Sequence, residues 1–188
     1  MYKYAMLTIP DKRRWFEIIA VAITAIGKFI FMDFLKWKLP FILTVMLFWG
    51  IYMFLRKREL NGILNYWGFQ KSSFRRAFKM VLPFGLIALI SCFVIGYFND
   101  TLNFSWHILP ILLVYPIWGM VQQFLLISLV AGNLSDLKSQ KLNSHFVVFI
   151  SAFLFGVIHY PFPWLMSGTS LLAIFYGYVF LKVRNLFV

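Results

Sequence analysis

Acidic residues and thiols are scarce in this chain. Six Asp and Glu stand against 18 Lys and Arg among 188 residues, for a formal net charge of +12, and there is one cysteine. A single thiol forms no disulfide within the chain, and a cysteine metal cluster is excluded. Cys92 falls inside an apolar run and reads as a small buried hydrophobe. There is no Ser-His-Asp set, no Cys-His pair and no HExxH run. A Gly-rich phosphate loop, an internal repeat and a low-complexity segment are also missing. Charged residues make up only 13% and cluster between apolar runs. Basic residues that flank apolar runs point to membrane topology and anionic headgroups rather than to nucleic acid.

Apolar side chain is plentiful: 62% of the residues are hydrophobic, where a soluble domain carries about half. The expected fold is all-α, a polytopic transmembrane bundle of about six spans forming one integral membrane domain over residues 1–188. The basic segment Met1–Arg14 precedes an apolar run that starts at Trp15. That run lacks a small-residue cleavage pattern and contains Lys28 and Asp33, so it reads as a retained first helix.

The spans are expected at 15–35, 40–55, 80–98, 108–131, 145–163 and 165–182. Crossing takes about 20 helical residues, so the second and last are short. Basic residues concentrate on one side: Lys3, Lys12, Arg13 and Arg14; seven between Arg56 and Lys79; Lys138 and Lys141; Lys182 and Arg184. The opposite side has only Lys36 and Lys38. This asymmetry predicts a multi-pass protein of the cell membrane with both termini cytoplasmic. Residues 56–79 interleave Arg and Lys with Trp67, Phe69, Phe74 and Phe78. They read as a basic amphipathic helix on the inner leaflet.

Two apolar runs carry polar side chains that could do chemistry. Gln122 and Gln123 lie mid-helix in span four, about 100° apart, so both can border one cavity. Gly119, one turn before Gln123, would admit another helix closely. The plainer reading of the pair is a set of interhelical hydrogen bonds. In span five, Phe155 and His159 share a face at i and i+4, ahead of the helix-ending Pro161 and Pro163. A lone His at a helix end is more often an interfacial hydrogen-bonding group than a metal ligand. His107 and His145 start spans four and five on opposite sides, so the three histidines cannot share one ion without a re-entrant fold.

These two runs resemble the CAAX protease and bacteriocin-processing (CPBP) family of intramembrane metalloproteases. The family's Glu-Glu-x-x-x-Arg motif corresponds to Gln122-Gln123-Phe124-Leu125-Leu126-Ile127. Its Phe-x-x-x-His motif corresponds to Phe155-Gly156-Val157-Ile158-His159. Tyr176-Gly177-Tyr178 and Arg184-Asn185-Leu186 resemble the segment ahead of its third motif, and the likeness covers about 105–188. The resemblance implies a zinc-dependent endopeptidase acting on a membrane-embedded or lipidated peptide, with Gln122, Gln123 and His159 at the catalytic positions and His159 as a metal ligand. Both motif glutamates are amides here, the motif arginine is Ile127, and the third His-x-x-x-Asn/Asp helix is not within the sequence. A zinc site needs about three protein ligands, and an amide is no general base near neutral pH. The expectation is therefore a catalytically degenerate homologue that binds no zinc. The alternative is a bacteriocin self-immunity or partner-binding protein without catalysis, and a small transporter or assembly subunit ranks last. The lipid bilayer is the expected partner, nucleic acid is not, and a homo-oligomer is left open. The Phe, Ile, Lys and Asn usage suits a bacterium.

Overall fold

Backbone groups in hydrocarbon must be satisfied within the segment, so apolar runs of this length fold as helices. The computed structural model describes residues 9–102, 105–106 and 108–188; Lys3 and His107 lie outside the described residues. No strand occurs among them. The elements are α1 (Asp11–Gly27), continuing as a π-helix over Lys28–Phe34; α2 (Lys38–Glu59); the short α3 (Ile63–Tyr66); and α4 (Phe74–Phe98). Next comes α5 (Ile108–Gln123), continuing as a second π-helix over Phe124–Gly132 and ending in α6 (Asn133–Ser135). The chain closes with α7 (Ser144–Ile158) and α8 (Pro163–Val183).

Among the described residues, five stretches are long and apolar enough to cross a membrane: Asp11–Phe34, Lys38–Glu59, Phe74–Phe98, Pro116–Ser135 and Pro163–Val183. The sixth expected span is α7, which has 15 residues and reaches only about 22 Å at 1.5 Å per residue. The second span is longer than the apolar run because Arg56, Lys57 and Arg58 continue the helix. Cations in a last turn suit the helix dipole. Cys92 is exposed on α4 rather than buried. Large apolar side chains such as Ile87, Ile90 and Ile95 are exposed on the same helix, as on a surface whose solvent is lipid.

Residues 56–79 are not one amphipathic helix. The chain turns at Gly62, in the left-handed region at φ 87°, forms α3, and turns again at Gly68, φ 96°. Ile63 and Trp67 are fully buried here, and Trp67 stacks edge-on against Phe124. A Cβ on Gly68 would lie 2.8 Å from the Phe180 ring and 3.2 Å from Leu186. Only a glycine lets the chain tail pass this close. Leu186 N–H donates to the Gly68 carbonyl at 3.0 Å. The Asn185 amide donates to the Gln70 carbonyl at 2.6 Å and to Ser73 Oγ at 2.9 Å.

Beside this knot lies a buried polar network. Glu17 is fully buried and accepts from Tyr52 Oη and, at 2.6 Å, from Asn133 Nδ2. Asn133 Oδ1 accepts from Arg14 Nη1 at 3.3 Å. Arg14 also donates to Tyr66 Oη, which donates to Asp136 at 2.7 Å. Asp136 pairs with Arg184. Burial opposes the Arg184 charge, but the Asp136 carboxylate and Tyr66 outweigh it and hold the guanidinium above its ordinary value. Burial first, then the Asp136 charge, raises Tyr66. The network ties α1, α2, α3, α6 and the tail together at one end of the bundle.

α7 and α8 form a tight hairpin built on small residues. A Cβ on Gly156 would collide with Ser170 Oγ and stand 3.0 Å from the Met166 carbonyl. One on Gly177 would stand 3.2 Å from Val148. Close approach through small residues is how helices associate where lipid removes the hydrophobic drive. At the hairpin's open end, His145 Nδ1 is hydrogen bonded to Tyr178 Oη at 2.6 Å.

Candidate functional site

Gln122 sits one residue before the end of α5, where the helix widens into the second π-helix. All nine residues of that π segment are buried, so it is held by packing on every side; π turns often mark functional sites. His159 follows the last residue of α7 and caps it, its own backbone N–H bonding the Gly156 carbonyl at 2.9 Å. Both side chains face one cavity of about 620 Å³, within the range of about 300–1,000 Å³ usual for ligand pockets. α1, α2, α5, α7 and the start of α8 wall it. Val21, Val45, Leu125, Leu126 and Phe155 supply apolar surface.

Gln123 is half-buried and is not among the lining residues. The two glutamines therefore divide, one into the cavity and one beside it. Among the described residues neither side chain makes a hydrogen bond, so the pair is not the interhelical glue that residue type alone would favour. Gly119 lines the cavity too, and a Cβ there would meet nothing within 4 Å. It opens space rather than seating a neighbouring helix.

His159 is held in one orientation. Nδ1 lies 2.7 Å from the Phe155 carbonyl. A carbonyl only accepts, so Nδ1 carries the proton and the neutral ring keeps its lone pair on Nε2. Thr169 Oγ1 approaches Nδ1 at 3.3 Å, and the Phe155 ring packs edge-on at 4.9 Å between centroids. The Phe-x-x-x-His spacing thus has a local purpose: i and i+4 stack, and the backbone of i fixes the tautomer of i+4. His145 is at the far end of α7, about 21 Å away by helical rise.

Sequence reasoning passed over Lys28, which joins this cavity from α1. Its ammonium donates to Asp33 Oδ2 at 2.6 Å and to the Tyr160 carbonyl, next to His159, at 3.0 Å. The visible signal was a Lys and an Asp five apart inside one apolar run; the widened π turn over Lys28–Phe34 brings them together. Lys28 is the one lining side chain with a permanent charge among the described residues, and no carboxylate lines the cavity.

A zinc ion does not fit this set. No group of three His, Cys, Asp or Glu capable of holding a metal exists among the described residues. The cavity offers one imidazole and a neutral amide, and the Lys28 ammonium beside them repels a dication.

Apolar helices long enough to cross a membrane, enclosing a cavity lined by amide, imidazole and ammonium groups, are the architecture of an integral membrane protein. Residues 103–188 match the family described as Type II CAAX prenyl endopeptidase Rce1-like. No curated protein and no solved structure matches the chain. The matched region carries Gln122, Gln123 and His159, while Lys28 and the α1–α2 wall come from outside it.

Proposed function

We propose that this is a CAAX-type intramembrane endopeptidase homologue that has lost catalysis and binds a membrane-embedded or lipidated peptide without cutting it. One observation carries the reading: an amide, Gln122, occupies the cavity beside His159 where hydrolysis would need a carboxylate. A base must take a proton from water, and the amide does not do so near neutral pH. Lys28 adds to this, because its charge disfavours a metal ion in the same cavity. The protein sits in the cell membrane with both termini cytoplasmic, as its basic loops favour.

The test is zinc content and cleavage of a lipidated peptide, for the natural chain, His159→Ala, and Gln122→Glu with Gln123→Glu. The expected outcome is no zinc and no cleavage in the natural chain. Near one zinc per chain, lost in His159→Ala, would overturn the degenerate reading. Cleavage gained by the double glutamate variant would show that only the base was lost. A second reading, self-immunity against a bacteriocin through partner binding, rests on the same lack of a base. It predicts cellular protection that survives His159→Ala.

A further inference from the structure

The polar groups at the cavity are unevenly used. Lys28 has three N–H donors, of which Asp33 and the Tyr160 carbonyl take two. The Gln122 amide has two donors and makes no hydrogen bond among the described residues. Thr24, by contrast, donates to the Ala20 carbonyl at 2.9 Å and accepts from Trp49 at 3.3 Å. The spare donors therefore belong to one cation and one amide; the unused acceptors are the Gln122 amide oxygen and His159 Nε2, and no carboxylate of the lining competes for the donors. Asp33 stands outside the lining with its side chain 37% exposed. Apart from the His159 imidazole, the remaining lining is apolar.

We propose that the cavity binds an amphiphile with one apolar chain and a carboxylate head, the head held by Lys28 Nζ and the Gln122 amide. The inference rests on the binding reading above and names the chemistry of its ligand. Two oxygens meet two kinds of N–H donor, and the chain lies along Val45, Leu125, Leu126 and Phe155. A monoanion suits this site better than a phosphate dianion, because Asp33 already offsets much of the single cation. The carboxylate could belong to a free fatty acid or to the C-terminus of a lipidated peptide.

The probe is dibromostearic acid, whose bromines quench tryptophan; Trp118 and Trp164 line the cavity. Its methyl ester has the same chain without the charge. In non-ionic detergent the acid is expected to bind roughly tenfold tighter than the ester, the scale of one charge-assisted hydrogen bond. Lys28→Met should erase that preference. Asp33→Asn should widen it by freeing the ammonium, an effect opposite in sign to any loss of fold. Equal binding of acid and ester by the natural chain would overturn the proposal, as would a preference that survives Lys28→Met. If Lys28→Met binds neither probe, Asp33→Asn decides: tightening sustains the proposal and no change ends it.

A lipidated peptide, tested as free acid and as C-terminal amide, separates the sources. Preference for the acid peptide with no binding of the fatty acid assigns the carboxylate to a peptide terminus. Equal binding of acid and amide peptides, with no acid preference among the fatty probes, sinks this inference and leaves the binding function standing. No binding of any probe sinks both.

Discussion

Two polar regions interrupt this apolar bundle, and they are built on opposite terms. In the network around Glu17, Asn133 and Asp136, nearly every group is matched: acceptors meet donors from four helices and the tail. Around Lys28, Gln122 and His159, donors and a lone pair are left facing empty volume. A satisfied buried network specifies how helices assemble, whereas groups held ready around a cavity specify what enters it.

The comparison breaks most sharply at Asp136. Asp136→Ala leaves Arg184 and Arg14 facing each other without the carboxylate. Breaking a buried pair costs about 3–5 kcal/mol, and the 28% exposure of Asp136 places the loss near the lower end. Thermal unfolding in detergent should show it, while cavity binding of the brominated acid persists at temperatures where the variant is folded. At the other end of the molecule, Gly156→Ala forces a methyl against Ser170 and the Met166 carbonyl. A loss of about 1–3 kcal/mol is expected, partly recovered by adding Ser170→Ala, because the carbonyl contact remains.

Tyr66 sharpens the contrast through pH. Burial and the Asp136 charge raise it above its ordinary 10.0. The stability linked to its proton is therefore complete below pH 10 and is lost as pH rises through the shifted value. Stability measured against pH should fall on the alkaline side, and Tyr66→Phe should flatten that limb. The smallest effect belongs to the cavity. Gln122→Leu removes an amide with no hydrogen-bond partner among the described residues, so stability should change by no more than about 0.5 kcal/mol. Gly119→Ala meets open space and gains helix propensity of up to about 1 kcal/mol. A large destabilisation by Gln122→Leu would mean that the two polar regions are alike after all.

Much of this was legible beforehand. Apolar runs separated by basic loops foretell membrane helices because the bilayer leaves the backbone no other solution. The motif spacing pointed to Gln122 and His159, which do share a cavity. Gln123 was grouped with its neighbour, although a step of about 100° is enough to turn it out of the lining. Gly119 was read as a helix contact, since a sequence does not distinguish a glycine that admits a helix from one that leaves a void. The stretch 56–79 looked like one surface helix. Its composition is basic and aromatic, but left-handed glycines at 62 and 68 fold it back and bury Trp67.

The sequence by itself determined the membrane class, the helical architecture and the amides at positions 122 and 123, because these depend on residue type and local periodicity. Tertiary structure alone decided that Glu17 and Asp136 knit five segments together. It also decided that Lys28, ninety-odd positions from Gln122, shares its cavity. Pairings over such separations depend on how helices pack and where a π turn shifts a side chain by one step. No local pattern encodes either.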